Sequence, residues 1–419
     1  MKLITKVFII LFFFAGSVYS ETSFENVSLK GELRFREIHY QSESVVPFYL
    51  EGNGKKEVTY SDFFFRNRLN VQILPYLNIG SVFDIYSVFG ENKGKFASSD
   101  LGIQARNVFA ELKLFKTGKL TAGYTTFLLP QGFVLATNGA GLKYEQSFID
   151  DLLTPYVSWV KAYDNSRNPL NNGIGLNNYK DNDIFIGGSK FNPAGNTANF
   201  NLFYVYDHDQ EALQDPIKHL HWAGLASKFI FNNTNLDATI IYNYGELLLN
   251  DSLKPVSSFL FHLAINYEKI FGQNKVKFSG IVQGASGKPD KTYRRDQFMS
   301  INPSYGINNI SVDNSAGVGI FKSGDFGGIN IFTLIAGYNF KNLEVKLIYS
   351  HLRLFNSTLF FNSQFGNETD LNFLYDINNY ISVNLQTGVF LPEVAYKNIS
   401  NDITKKPVYE IVGSCSVKY

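Results

Sequence analysis

The 419-residue sequence is short of several residue types, and each shortage bears on the class of protein. A single cysteine, Cys415, excludes a disulfide framework and a thiolate metal cluster. Charged residues make up only 18 % of the chain, against about 25 % in an ordinary soluble protein. The formal net charge is only +1, which argues against a nucleic-acid-binding protein, because that class carries a basic excess.

The sequence also lacks the short motifs of common enzymes. It contains neither a Gly-x-Ser-x-Gly nucleophile motif nor a GxxxxGK[ST] phosphate loop. None of its six histidines lies in a recognisable nucleophile motif. We therefore expect a protein that is not an enzyme and that carries no cofactor.

The first twenty residues have the pattern of a secretory signal peptide. Lys2 and Lys6 give a basic start, residues 7–14 are apolar, and Val18 and Ser20 occupy positions −3 and −1 of a small-residue cleavage site. The sequence therefore predicts a cleavable leader, 1–20, and one exported domain, 21–419. No second run of eighteen apolar residues follows, so no transmembrane helix is predicted.

Alternation with a period of two residues is the main pattern in the rest of the chain. In residues 27–35 apolar or small side chains occupy the odd positions, and polar or charged side chains occupy the even positions. Because side chains on a strand alternate between its faces, each such strand has one apolar and one polar face. The pattern recurs at residues 65–73, 343–349, 371–376 and 409–419.

Three features favour a membrane barrel over a soluble β-sandwich. The alternating runs are often roughly 10 to 16 residues long, whereas soluble strands average about 5 to 6 and membrane strands need about 9 to 11. Aromatic residues cluster near the ends of the runs, as at Phe63, Phe64 and Phe65. Short turns alternate with long polar loops, which is typical of outer-membrane barrels with periplasmic turns and extracellular loops. In such a barrel the apolar face contacts lipid and the polar face lines the lumen.

We therefore predict an all-β fold, a transmembrane antiparallel outer-membrane β-barrel of about 18 strands, with 16 as the alternative count. An even number places both termini in the periplasm. The predicted strands begin near residues 27, 62, 79, 104, 119, 142, 153, 183, 198, 218, 236, 256, 275, 327, 343, 368, 380 and 408.

The chain ends in an alternating run that closes on Tyr419. Barrels of this class usually end in an aromatic residue that the barrel-assembly machinery recognises, so Tyr419 is the predicted assembly signal. Cys415 falls on the same face and is predicted to be a small side chain facing lipid.

Arginine pairs are the most informative polar residues. Arg34 and Arg36 share the polar face of the first strand, and Arg66 and Arg68 share that of the second. An arginine facing lipid at the bilayer midplane costs about 2 to 4 kcal/mol, so these four side chains are predicted to line the lumen.

Lys30 adds a fifth basic residue to these four arginines, and we call the five residues the basic ladder. Glu32 and Asp84 supply the counter-charges. The ladder has two interpretations, which are compatible with each other. In the first interpretation, the basic ladder sets an electric field that attracts anions to a constriction of the lumen. In the second, its charges pair with those on neighbouring strands and stiffen the barrel wall.

Three further features leave alternatives open. Arg106 shares the parity of apolar Val108, which indicates either an interfacial residue or a displacement by a bulge. His219 and His221 have a spacing that can bind a metal, but an interfacial or lumenal polar pair is the preferred interpretation, and no metal site is predicted. The loop 288–326 either folds into the lumen or stays external. It carries Lys291, Arg294, Arg295 and Asp296.

Four segments resemble the alginate-export family of outer-membrane porins. VSLKGELRFRE (27–37) resembles the first strand of that family, residues 64–91 its second and third, residues 106–133 its fourth and fifth, and residues 366–396 its closing segment. The resemblance implies a single barrel of eighteen strands and a passive channel, which in the best-known member conducts an acidic polysaccharide.

Carried over by position, the resemblance gives Arg34, Arg36, Arg66 and Arg68 pore-lining roles and gives Asp84 a lumenal acidic role. The sequence departs from the family at residues 123–125, where it reads Gly-Tyr-Thr and many members have Gly-Arg-Gln. One basic group of the family is therefore missing.

Together these observations predict an outer-membrane porin, a passive channel for hydrophilic solutes that are anionic or saccharide. The alternative is a plugged structural or adhesive barrel with surface-binding loops. The expected partners are outer-membrane lipid and lipopolysaccharide, the barrel-assembly machinery, and small hydrophilic or polyanionic solutes, with no nucleic acid.

Overall fold

The structure is a computed structural model of the chain. It describes residues 26–42, 57–89, 102–163, 182–193, 197–209, 218–249, 252–287, 298–301, 306, 309–311, 328–355, 364–393 and 407–419. The predicted leader, residues 1–20, lies outside these residues, as do the loop residues Lys291, Arg294, Arg295 and Asp296.

Eighteen antiparallel strands form one sheet that closes on itself. Each strand pairs with the strands before and after it in sequence, and β1 pairs with both β2 and β18. The strands are β1 Val27–Ser42, β2 Glu57–Leu74, β3 Leu77–Phe89, β4 Gly102–Leu114, β5 Gly118–Leu128, β6 Ala136–Gln146, β7 Leu153–Tyr163, β8 Asn182–Phe191, β9 Ala198–Asp209, β10 Lys218–Phe231, β11 Thr234–Leu249, β12 Ser252–Phe271, β13 Asn274–Ala285, β14 Ile329–Phe340, β15 Leu343–Leu354, β16 Gln364–Asp376, β17 Ile381–Pro392 and β18 Val408–Lys418.

The predicted fold is confirmed, including the count of eighteen strands. Most strands start within a few residues of the predicted positions. The largest difference is at β6, which starts at Ala136 rather than near residue 142. That strand begins with small and polar residues, so its first six residues show little alternation between apolar and polar side chains. No helix in the described part of the chain is long and apolar enough to cross a membrane.

The connections differ in length at the two ends of the barrel, as predicted. At one end, tight turns such as residues 75–76, 232–233, 272–273 and 341–342 join consecutive strands. At the other end, most connections are much longer in sequence, and the connection from β13 to β14 spans residues 286–328. We refer to these as the short-turn end and the long-loop end.

The outer surface of the barrel is an apolar band. Large apolar side chains at alternate positions are exposed there, for example Leu29 at 55 %, Leu202 at 61 % and Leu334 at 64 %. Cys415 lies on this face, opposite Phe35 of β1, as predicted. An apolar outward band with polar residues inside is the arrangement of a membrane barrel.

Apolar side chains also fill part of the interior near the long-loop end. The segment 129–135, between β5 and β6, folds inward and buries Phe133, Val134 and Leu135 completely. They belong to one cluster with Trp222 of β10 and the loop residue Phe298. The hydrophobic core of this protein therefore lies inside the barrel rather than between two sheets.

The seam between the first and last strands is sealed by Tyr419. Its backbone N–H donates to the carbonyl of Gly31 over 3.1 Å, and Gly31 N–H donates to the carbonyl of Tyr419 over 2.9 Å. The tyrosine ring lies directly over Gly31 and stacks on Phe65 of β2, with ring centroids 6.2 Å apart. A Cβ at position 31 would overlap this ring, so a larger residue there displaces the Tyr419 side chain from its contact with Gly31.

Replacing Gly31 by valine should therefore weaken the seam. Overpacking of this kind costs about 1 to 3 kcal/mol, so we expect G31V to lower the temperature at which the folded band on a semi-native gel converts to the unfolded band. The matched control is G413V on β18, because a Cβ at position 413 meets open space. An equal decrease of this conversion temperature in both variants would contradict a role for the Gly31–Tyr419 contact.

Candidate functional site

A cluster of arginines and aspartates lies on the inner wall formed by β1 to β4. Cross-strand register sets Arg36 opposite Asp62, Arg34 opposite Phe64, and Arg66 opposite Asp84. Arg34, Arg36, Asp62, Arg66 and Asp84 all lie at even-numbered positions, so they share one face of three neighbouring strands. We call Arg34, Arg36, Asp62, Arg66, Asp84 and Arg106 the arginine cluster.

Two of the arginines form bidentate pairs with carboxylates. Arg36 donates from Nε to Asp62 Oδ1 over 3.0 Å and from Nη2 to Asp62 Oδ2 over 2.5 Å. Arg66 donates from Nε to Asp84 Oδ1 over 2.7 Å and from Nη2 to Asp84 Oδ2 over 2.8 Å. Two parallel bonds fix the plane of each guanidinium group and so give the wall a defined shape.

Asp84 holds a second arginine, Arg106, through an ion pair. The register between β3 and β4 shifts here, since Val82 lies opposite Asn107 and the next residue, Phe83, lies opposite Ala105. Arg106 is the extra residue of this β-bulge, and the bulge turns its side chain toward the interior despite its parity. Of the two alternatives that the sequence left open, the bulge is therefore the one found.

Arg34 has no ion-pair partner among the described residues. Its guanidinium carbon lies 5.2 Å from the ring centroid of Phe64, and that of Arg66 lies 4.8 Å from the same ring. The Nε atom of Arg34 is buried without a hydrogen-bond partner in the described part of the chain. The arginine cluster thus contains four guanidinium groups and two carboxylates, and it is positively charged.

A cavity of about 250 Å³ opens beside these side chains. Arg34, Arg36, Asp62, Asp84 and Arg106 line it, together with Gln104, Ser87 and nearby aromatic rings. Three guanidinium groups contribute N–H donors to it, and such groups match the planar oxygen pairs of carboxylates. Arg66 of the cluster does not line this cavity.

The remaining predicted ladder residues are not brought to this cavity. Lys30 lies opposite Arg68, closer to the short-turn end, and both are exposed. Glu32 lies between them and the cluster, opposite Arg66 on one side and Lys418 on the other. The ladder therefore divides into the compact arginine cluster and an exposed basic pair, Lys30 and Arg68, nearer the short-turn end.

Two chain segments, 129–135 and 298–301, meet inside the barrel beside Trp222 of β10. Ser300 donates to the carbonyl of Phe133 over 2.7 Å, and the N–H of Ile301 donates to the carbonyl of Val134 over 2.9 Å. Trp222 of β10 donates from Nε1 to the carbonyl of Met299 over 2.8 Å. The described parts of the predicted loop 288–326 thus fold into the lumen, which is the first of the two alternatives.

A second contact holds this long loop to β16, three strands from β1 around the barrel. Glu368 on β16 accepts from the backbone N–H groups of Ile310 and Ser311 over 2.6 and 2.8 Å. Asp370 accepts from the N–H of Asn309 over 3.1 Å. We call Glu368 and Asp370 the carboxylate clamp; both are 1 % exposed.

Sequence analysis did not identify the carboxylate clamp, although alternation places Glu368 and Asp370 on the interior face of β16. Only the path of the loop reveals what these carboxylates bind. The signal available in the sequence was two acidic residues at alternate positions of one predicted strand, which could have indicated a binding site for a loop.

His219 and His221 lie on the outward face of β10, so the lumenal alternative for this pair is wrong. The alternation that places Leu220 and Trp222 in the interior core places both histidines outside. His221 stacks on Tyr206 and Tyr244, with ring centroids 4.8 Å apart in each case.

The fold matches solved outer-membrane porins. Acinetobacter baumannii OccAB2 aligns with a TM-score of 0.57 and 14 % sequence identity over 95 % of this chain and 99 % of that one. Pseudomonas aeruginosa OccK11 (OpdR) aligns with a TM-score of 0.55 and 11 % identity over 93 % and 95 %. P. aeruginosa OpdK, solved with vanillate, aligns with a TM-score of 0.56 and 12 % identity over 94 % and 98 %.

No family model and no curated protein matches the sequence. The resemblance to the alginate-export family therefore stays a prediction, while the barrel fold is shared with the structures above.

Replacing Asp84 by asparagine should destabilise the barrel, because both Arg66 and Arg106 lose their carboxylate. We expect D84N to lower the free energy of unfolding in detergent by about 1 to 3 kcal/mol, less than for a fully buried pair because Arg106 is 44 % exposed. Tryptophan fluorescence during denaturation measures this. D376N, which changes an exposed aspartate at the end of β16, should have little effect; equal effects would contradict the central role of Asp84.

Replacing Glu368 by glutamine should loosen the loop at residues 309–311. The neutral amide keeps one acceptor oxygen but loses the charge-assisted bonds to two backbone N–H groups. Hydrogen exchange of those amides, followed by mass spectrometry, should become at least about tenfold faster, since each bond to a charged group contributes about 1.5 to 3 kcal/mol. E344Q on β15, whose carboxylate instead pairs with Lys277 and Lys346, is the control and should leave that exchange unchanged.

Proposed function

We propose that this protein is an outer-membrane porin, a passive channel for small hydrophilic solutes that prefers anions such as acidic sugars and other carboxylates. The observation that carries the proposal is the arginine cluster, four guanidinium groups against two carboxylates, of which Arg34, Arg36 and Arg106 line an interior cavity. Excess positive charge in a narrow, low-dielectric passage raises the local concentration of anions.

The partners follow from the location in an outer membrane. The apolar outward band would contact lipid and the lipid part of lipopolysaccharide, and the leader at residues 1–20 would direct export. The β18 strand ending in Tyr419 would engage the barrel-assembly machinery. Each of these remains a proposal that rests on the sequence pattern and the barrel fold.

Small solutes fit the interior better than a polysaccharide strand does. The inward segments at residues 129–135, 298–301 and 309–311 occupy interior volume near the long-loop end, and most of their large apolar side chains are buried. The free cross-section of the barrel is therefore smaller at this end than the ring of eighteen strands alone would leave. OpdK, one of the barrels of similar fold, was solved with vanillate, itself a small carboxylate.

A plugged structural or adhesive barrel is the second candidate. It is favoured by the same apolar packing, because Phe133, Val134, Leu135 and Trp222 form a sealed core inside the barrel. In that case the long loops would be the binding surface, and the interior would not conduct.

Single-channel conductance in a planar bilayer under a salt gradient separates the two candidates. We expect an open pore with anion preference, and we expect R34A/R66A to move its reversal potential toward cation selectivity, because two of the four guanidinium groups are lost. K341A, at an exposed turn of the short-turn end, is the charge control and should leave selectivity nearly unchanged.

A silent bilayer from protein that migrates as a folded, heat-modifiable band would reject the channel and favour the plugged barrel. Conductance without a change of selectivity in R34A/R66A would retain the channel and reject the arginine cluster as its selectivity element.

A further inference from the structure

Three side-chain donors converge on the outward face of β9 and β10, away from the arginine cluster. His208 and His219 are directly opposite in the register, and their Nδ1 atoms are 3.3 Å apart. The hydroxyl oxygen of Tyr206 lies 3.0 Å from His208 Nδ1 and 3.5 Å from His219 Nδ1. Two nitrogens and one oxygen thus form a nearly equilateral triangle.

The size of this triangle matches one face of a metal coordination sphere. Zinc–nitrogen bonds are about 2.0 to 2.1 Å long, and tetrahedral geometry then sets two donor atoms about 3.3 Å apart. The three edges observed here lie close to that value. The two imidazole rings are stacked, with centroids 5.1 Å apart and planes inclined at 30°. Rotation of these side chains about their χ angles, with the strands in place, would turn both nitrogen lone pairs toward one ion.

Stacked rings hold the tyrosine oxygen in place. The Tyr206 ring is stacked between Phe185 of β8, at 6.3 Å, and His221 of β10, at 4.8 Å. His221 is in turn fixed by Tyr204, whose hydroxyl oxygen lies 2.6 Å from its Nδ1, and by stacking on Tyr244. A donor set held by its surroundings loses little entropy when it binds an ion.

The position in the barrel makes the donors accessible from water. His208 precedes the last residue of β9, and His219 follows the first residue of β10, so both lie at the long-loop end. Four tyrosines lie near the two histidines on the outward face: Tyr204, Tyr206, Tyr242 and Tyr244. Tyrosines are enriched at the boundary between membrane and water. The two histidines thus lie at the edge of the apolar band that is next to water.

We propose that His208, His219 and Tyr206 bind one divalent transition-metal ion of the zinc, copper or nickel class. Imidazole nitrogens suit these ions. Among the described residues, no three His, Cys, Asp or Glu side chains converge on a metal-sized site, so the third donor is a tyrosine. Glu246 of β11 is opposite His219 and is the nearest carboxylate in the register. The bound ion fastens β9 to β10 beside the connection 210–217.

Metal binding by the full chain, prepared without a polyhistidine tag and folded in detergent, tests this site. Zinc titration calorimetry should show one ion per chain, and H208A and H219A should each weaken binding at least about tenfold. The electron paramagnetic resonance spectrum of added copper(II) should show two coupled nitrogen nuclei, reduced to one in either variant. H351A is the control, because His351 of β15 bonds to Asn367 at 2.8 Å, distant from the site.

A hydrogen-bonded triad without a metal is the competing explanation. It predicts no stoichiometric zinc binding by the unaltered protein, or binding that H208A and H219A leave unchanged, and either result would overturn the proposal. Y206F should lower zinc affinity while both nitrogens stay in the copper spectrum. An unchanged affinity in Y206F would overturn the three-donor geometry. A heat-modifiable folded band from each variant shows that the barrel itself is intact.

Discussion

The closed ladder of backbone hydrogen bonds is the constraint on which the rest of this structure depends. Each of the eighteen strands pairs with two neighbours, and the pairing of β1 with β18 removes the open edges that a flat sheet would leave. Side chains alternate along every strand, so pairing in register keeps the apolar faces of neighbouring strands on the same side around the whole barrel. A continuous apolar band outside and a polar row inside follow from this constraint.

The arginine cluster shows how charge is organised within that constraint. Register brings Arg36 to Asp62 and Arg66 to Asp84, so part of the ladder pairs between strands and stiffens the wall. The bulge at Arg106 adds a guanidinium that regular alternation would have turned outward. The pairing interpretation of the ladder is therefore observed, and the anion-attracting interpretation stays the proposal made for the four guanidinium groups.

The apolar interior near the long-loop end has a different origin. A wide barrel cannot fill its own lumen with strand side chains, so segments of the connections fold inward and bury Phe133, Val134 and Phe298 against Trp222. Backbone groups on such segments need partners, and the carboxylate clamp supplies three of them at residues 309–311. The same packing both narrows the proposed passage and supports the plugged alternative.

The sequence by itself determined the strands, their two faces and the interior placement of Arg34, Arg36 and Arg66, because a period of two residues is a local property of the chain. Only the tertiary structure decided which side chains meet. The bulge at Arg106, the carboxylate clamp and the approach of His208 to His219 depend on register between strands and on the path of long connections. The alternating pattern is the same in every strand, so it does not specify the register between two strands or the path of a long connection.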